Sequence, residues 1–304
     1  MISFVEKIKT LDSRLRGNDN VKIITTELTP PRGSGVKKFI KTAALLSKHV
    51  DALNITDNQR AVMRMSSIAS SAILLQNGFE PICQIVCRDK NSLALQSDLI
   101  GASALGIKNI LALTGDPVQG GDNPQAKKVF EFESTKLLKM LFQLNQGFGW
   151  NGTKLNQKTG FVLGATINPT SPNSDVQLRR FEQKLEGGAR FFQTQATFDV
   201  DLLQKFIKKV EHFKVPIIVG VIMMKSFETA QFLNERVLGI RVPERFITAL
   251  KNSKKPEETG VHLAAHLVKD FLEVTQGVHI MAVRREHRVP DIIQLAKNMS
   301  SRGF

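Results

Sequence analysis

The sequence predicts a single α/β domain, a (β/α)8 barrel of the TIM type with extra helices between strands 7 and 8. Three observations lead there. Eight short runs rich in β-branched and other apolar residues recur along the chain, each followed by helical periodicity. The runs are apolar throughout, as parallel strands covered on both faces require. Repeated strand–helix units over about 280 residues fit a closed barrel better than an open sheet. No Gly-rich dinucleotide fingerprint follows the first strand, since Gly33 and Gly35 give too short a match.

The elements follow in order. Residues 1–20 are expected to be a disordered extension, because 11–19 lacks an amphipathic period and ends in turn formers. The barrel then occupies 21–304. Strands are expected at 21–27 (VKIITTE), 51–56 (DALNIT), 81–87 (PICQIVC) and 108–114 (KNILALT). Four more are expected at 161–167 (FVLGATI), 190–195 (RFFQTQ), 215–222 (VPIIVGVI) and 278–283 (VHIMAV). Helical periodicity fills 35–48, 61–77, 92–105, 131–145, 175–187, 199–212 and 288–299. Three further helices, at 226–234, 243–251 and 260–274, lie between the seventh and eighth strands. Two long linkers, 117–130 and 146–160, flank the fourth of these helices.

Composition narrows the function classes. The chain has 304 residues, 42% apolar and 23% charged, which excludes a disordered chain. A chain this long buries roughly 75% of its unfolded surface and needs no staples. Cys83 and Cys87 form no disulfide framework and read as free thiols of a reducing cytoplasm. Runs such as 216–224 fall far short of the roughly 20 apolar residues of a membrane span. The first 20 residues lack the apolar stretch of a signal peptide. The net charge is +14, but the lysines are spread as pairs such as Lys37-Lys38 and Lys208-Lys209. That pattern favours an anionic small ligand over nucleic acid, and no nucleic-acid or membrane partner is expected. His262 and His266 lack an acidic partner and the cysteines lack a histidine, so no metal site is expected.

In such barrels the active site gathers at the C-terminal ends of the strands. Those ends are polar nearly everywhere: Glu27; Thr56, Asp57 and Asn58; Arg88, Asp89 and Asn91; Thr114, Gly115 and Asp116. Asn168, Gln193 and Gln195, Lys225, and Arg284 to Glu286 complete the ring. The ring points to an enzyme or small-molecule binder. Glu27 follows Ile23 and Ile24, and burial would make it a proton donor near neutrality. Each residue also has a structural reading. Glu27 could be a cap or ion-pair partner, Asp116 a turn former, Gln195 a rim amide and Arg88 a rim charge.

Eight segments, in order and at matching spacing, resemble the methylenetetrahydrofolate reductases, which are (β/α)8 flavoproteins. They are 26–33 (TELTPPRG), 54–58 (NITDN), 87–91 (CRDKN), 111–117 (LALTGDP), 184–189 (KLEGGA), 192–195 (FQTQ), 216–220 (PIIVG) and 239–243 (GIRVP). The wording is closest to the reductase part of homocysteine methyltransferase fusions. The resemblance implies FAD-dependent reduction of 5,10-methylenetetrahydrofolate to 5-methyltetrahydrofolate in one-carbon and methionine metabolism. NADH or NADPH would be the electron donor. Glu27 then matches the general acid that opens the folate ring, after which the carbon accepts hydride from flavin N5. Asp116 matches the carboxylate near flavin and pterin. Gln195, with Gln193 beside it, matches the pterin ligand. The FAD-lining positions are Thr56, Asn58, Arg88, Asp89, Asn91, Thr114, Gly115, Asp116, Ala165, Asn168 and Lys184. Arg64, one turn into the second helix, adds a candidate for the pyrophosphate.

The sequence also departs from the family. Gln177 stands where many members carry aspartate, and the chain has no Tyr to stack on a flavin. The end of strand 8 reads 282–287 (AVRREH) in place of an apolar Pro-Pro-Phe-Gly stretch. That last change motivates a second reading, a folate-binding flavoprotein reduced by a protein partner. A third reading is a non-catalytic basic binding module. A cytoplasmic homo-oligomer is expected.

Overall fold

The computed structural model describes residues 3–11, 21–171, 173–237 and 239–299. Eight strands run in chain order around a closed barrel. They are β1 (Ile23–Leu28), β2 (Ala52–Ile55), β3 (Pro81–Val86), β4 (Asn109–Leu113), β5 (Val162–Ile167), β6 (Phe191–Ala196), β7 (Ile217–Ile222) and β8 (Gly277–Met281). All neighbours pair in parallel, and β8 closes on β1 with His279 opposite Thr25. Each expected strand is present, with ends within two residues of those read from the sequence.

The helices are α1 (Phe4–Leu11), α2 (Lys37–Leu46), α3 (Ser67–Gln76), α4 (Ser92–Ala104), α5 (Ser134–Gln146), α6 (Ser174–Glu186), α7 (Val200–Val210), α8 (Phe227–Arg236), α9 (Glu244–Asn252), α10 (Pro256–Val274) and α11 (Val289–Asn298). No described helix is long and apolar enough to cross a membrane. Short polar side chains start several of them by accepting an otherwise orphaned N–H. Asn91 does so for Ala94 at 2.9 Å, and Asp199 for Leu202 at 2.9 Å. The helix expected over 61–77 begins only at Ser67, behind the cap Ser66. Before it, Arg60 and Ala61 take left-handed φ values of 55° and form a tight turn.

Strand alternation divides the apolar residues between two layers. Leu53, Ile55, Cys83, Ile85, Leu163, Ala165 and Phe192 belong to the large core beneath the helices. Ile23, Ala52, Ile82, Leu111, Phe191 and Ile218 fill the N-terminal half of the lumen together with Phe4 and Ile8. The expectation of disorder over 1–20 therefore fails at 4–11, and 12–20 lie outside the described residues. Helix α1 forms because Phe4, Ile8 and Leu11 recur at helical spacing and insert into the barrel floor. Phe4 meets Phe191 edge-on, with ring centroids 5.3 Å apart. Glu80 accepts the Phe4 and Val5 N–H groups at 3.0 and 3.3 Å, and Lys7 pairs with Asp51 at 2.7 Å.

Above this plug the lumen turns polar. Asn54 Nδ2 donates to Gln193 Oε1 across the barrel at 2.6 Å, and Thr25 Oγ1 meets His279 Nδ1 at 2.9 Å. The apolar floor and the polar middle layer leave the chemistry-bearing residues to the C-terminal rim.

Candidate active site

The turn after β2 connects two carboxylates. Gln59 Nε2 donates to Glu27 Oε2 at 3.1 Å. One residue on, the Arg60 N–H donates to Asp116 Oδ2 at 2.9 Å. The left-handed turn thus reaches the end of β1 with a side chain and the end of β4 with its backbone. Asn58, also left-handed at φ 41°, locks the turn, because its Oδ1 accepts the Arg64 N–H at 2.9 Å.

Glu27 is half-buried at the end of β1. Burial raises its pKa from 4.5 to about 7; the Gln59 bond opposes this and the Glu286 carboxylate adds to it. At neutral pH a large share of Glu27 therefore holds its proton. With Oε2 accepting from Gln59, Oε1 is the oxygen left to carry that proton.

Arg88 is 2% exposed and serves as a buried cross-brace. Its Nε and one terminal nitrogen each donate to the Asp89 carboxylate at 2.7 Å. The guanidinium also reaches the Asp116 and Asn58 carbonyls at 3.2 and 3.3 Å. Gly115 must be glycine: its φ is +98°, and a Cβ there would fall 3.0 Å from Arg88 Cβ. Asn58, Arg88, Asp89, Gly115 and Asp116 form one network, with the Arg64 backbone tied to it. Arg64 itself is pushed to a lower pKa by burial and then by the Arg32 and Arg284 cations.

On the opposite wall, β6 shifts register against β7 between Gln193 and Ala196. The Thr194 hydroxyl holds this irregularity, accepting the Gly220 N–H at 3.0 Å and donating to the Gln195 carbonyl at 2.6 Å. Such bulges re-aim side chains. Gln193 stays buried in the lumen on Asn54, while Gln195 is exposed at the mouth. Gly239 lies over it at φ +82°, where a Cβ would meet Asn168 Nδ2 at 2.8 Å and Gln195 Oε1 at 3.0 Å. Asn168 and Gln195 are thus neighbours under one loop. Lys184 reaches back from α6 to the Thr166 carbonyl at 2.8 Å. Burial, then the Arg180 cation, lower its pKa to about 8. The Thr56 hydroxyl is buried at the end of β2 with no hydrogen-bond partner among the described residues.

Three more of the expected cofactor-lining residues have structural partners of their own. Ala165 is fully buried in the helix-facing core. Thr114 Oγ1 accepts the Ser134 N–H at 3.1 Å at the start of α5, and Asn91 caps α4. Sequence reading missed Gln59 and Arg60, because a turn glutamine and a backbone N–H carry no motif. It also missed His279, a lumen histidine that burial pushes down to about 3 and so keeps neutral. Cys83 and Cys87 are both buried, with thiol pKa values pushed up to about 12, which suits inert core thiols.

The sequence model of the family described as methylenetetrahydrofolate reductase matches residues 11–297. Individual relatives are distant. The chain is 22% identical over 294 residues to "Probable methylenetetrahydrofolate reductase (NADPH)" of Caenorhabditis elegans, covering 91% of this chain and 42% of that protein. It is 24% identical over 237 residues to methylenetetrahydrofolate reductase 1 of Schizosaccharomyces pombe, covering 73% and 36%. With 5,10-methylenetetrahydrofolate reductase of Pectobacterium carotovorum it is 22% identical over 269 residues, covering 86% and 83%. The chain therefore spans less than half the length of the nematode and fission-yeast proteins, and most of the bacterial one.

Proposed function

The chain belongs to the methylenetetrahydrofolate reductase family, and from that premise we propose that it reduces 5,10-methylenetetrahydrofolate to 5-methyltetrahydrofolate with FAD as its redox group. The observation that carries the reading is that one turn at the rim holds both Glu27, through Gln59, and Asp116, through the Arg60 N–H, with burial raising the Glu27 pKa to about 7. Opening a methylene bridge between two nitrogens needs a proton at the leaving nitrogen. A carboxylic acid with a pKa close to the working pH is well matched to that task.

The residues divide the work. Glu27 Oε1 donates the proton, and Gln59 fixes the rotamer of the carboxyl group. Asp116, aligned by the Arg60 N–H, accepts from substrate N–H groups and stabilises positive charge on the ring after opening. Gln195 offers both a donor and an acceptor to the pterin edge, and Asn168 stands beside it. Gln193 supports the floor beneath them through Asn54.

The donor set suits FAD at several positions. The unpartnered Thr56 hydroxyl and the buried Lys184 amine supply a hydrogen bond and a positive charge. Arg64 sits in a cationic neighbourhood with Arg32 and Arg284, as a diphosphate requires. Arg88 and Asp89, bonded to each other, shape the wall on which such a group would rest. FAD, when bound, supplies two-electron hydride chemistry that no side chain here can supply. NADH or NADPH is the proposed electron source.

Anaerobic spectroscopy of the purified, FAD-loaded chain tests this reading. Bleaching of the flavin by a nicotinamide, followed by reoxidation on adding 5,10-methylenetetrahydrofolate, is the expected result. A flavin that resists both nicotinamides but is reduced by a partner protein would replace the donor. Absence of any flavin binding would overturn the reading.

A further inference from the structure

Arg60 stands in the left-handed region at φ 55°, where a side chain carries a steric cost that glycine escapes. Gly115 and Gly239 fill such positions elsewhere at the rim. Strain retained at an arginine points to work done by its side chain. That side chain has a partner: the Arg60 guanidinium lies over the Phe232 ring of α8, 5.1 Å from the ring centroid. Phe232 is 38% exposed, so the ring is a surface platform and not part of the core.

The contact joins two parts of the rim. On one side is the turn that carries Gln59 to Glu27 and the Arg60 N–H to Asp116. Neighbouring loops hold this turn through its backbone. The Met63 N–H donates to Asp122 at 2.8 Å and the Met65 N–H to the Pro31 carbonyl at 2.9 Å. Gly121 backs directly onto Ala61, leaving no room for a Cβ. Behind the turn, α3 buries Ser67, Ser70 and Ser71 with their hydroxyls unpartnered, a poor anchor compared with an apolar face. On the other side, α8 leads to Gly239, which covers Asn168 and Gln195. The turn follows β2 and α8 follows β7, so Arg60 and Phe232 meet across the ends of β1 and β8.

We propose that Arg60 and Phe232 are positioning residues, whose stacking fixes the Glu27–Asp116 side of the mouth at the spacing from Gln195 and Asn168 that the bound substrate needs. The inference rests on the reductase reading, in which the folate contacts both sides. Arg60 acts through the turn: its own N–H aligns Asp116, and the preceding side chain aligns Glu27. Small displacements of such groups weaken their hold on a reactant.

Hydrogen exchange and steady-state kinetics on the FAD-loaded chain test the proposal together. Phe232→Ala should raise KM for the folate about 3–5-fold, with a smaller effect on kcat. Without substrate, it should also speed exchange of the amides over residues 60–65. Phe232→Leu keeps an apolar side chain without a ring and should match the alanine variant. Phe232→Trp supplies a stronger cation–π partner and should restore both readouts. Arg60→Gly relieves the backbone and keeps the N–H for Asp116, yet should raise KM by the same factor. Combined with Phe232→Ala it should raise KM no further, because both changes remove one contact. A wild type that turns over no folate would remove the reductase reading and the kinetic role with it. Unchanged exchange in Phe232→Ala, a leucine variant equal to wild type, or KM effects that multiply in the double variant would overturn the positioning role alone.

Discussion

Two titratable groups shifted by burial give opposite pH signatures. Glu27 has a folded pKa of about 7 against 4.5 for the solvated group. Between those values the folded chain holds the extra proton, so stability falls as pH rises from about 4.5 to about 7. Glu27→Gln should therefore be more stable than wild type by about 2 kcal/mol near pH 8, and nearly equal to it near pH 4. Urea unfolding at the two pH values checks this, and the same difference at both would contradict it. His279 behaves in reverse, with a pKa of about 3 against 6.5. Between those values the unfolded chain binds more protons, so stability present above about pH 6.5 is lost as pH falls. His279→Gln should cost about 1 kcal/mol at neutral pH, through the Thr25 bond, yet flatten the acid limb of the stability curve. An acid limb as steep as wild type would show that the ring does not carry this dependence.

At the scale of elements, α1 and the β6 irregularity each hold something the rim depends on. Phe4 is fully buried against Phe191 at the barrel floor. Phe4→Ala should lower stability by about 3 kcal/mol in denaturant unfolding, with flavin affinity preserved. A loss below about 1 kcal/mol would mean that α1 is not a structural plug. Thr194→Val removes the hydroxyl that ties Gly220 to the Gln195 carbonyl. It should raise KM for the folate more than it lowers kcat, at a stability cost of about 1–2 kcal/mol. An unchanged KM would separate the bulge from substrate positioning. Neither element was legible beforehand. The Phe4, Ile8 and Leu11 spacing is real, but eight residues make no stable helix alone, and the lumen that buries them is assembled from distant strands. A register shift between β6 and β7 is a property of the pair, so the 190–195 run by itself could not reveal it.

For the whole molecule, the barrel was legible because each strand is a compact apolar run and each helix carries its own period. The rim was legible as a ring of polar strand ends. The pairing within that ring was not. Arg88 and Asp89 bond each other, Thr114 and Asn91 serve helix starts, and Ala165 faces the helices. Gln59 reaches Glu27, and the Arg60 N–H reaches Asp116, on a turn in which three residues adopt left-handed backbone. The resulting arrangement puts a protonatable Glu27 and an oriented Asp116 on one turn, and the proposed chemistry rests on that division of roles. The most direct test is anaerobic stopped-flow on FAD-loaded Glu27→Gln, with the two half-reactions measured separately. Flavin reduction by the nicotinamide should stay close to wild type, while the folate half-reaction should slow by about 10²–10⁴-fold. Equal losses in both half-reactions, or an unimpaired folate step, would contradict Glu27 as the proton donor.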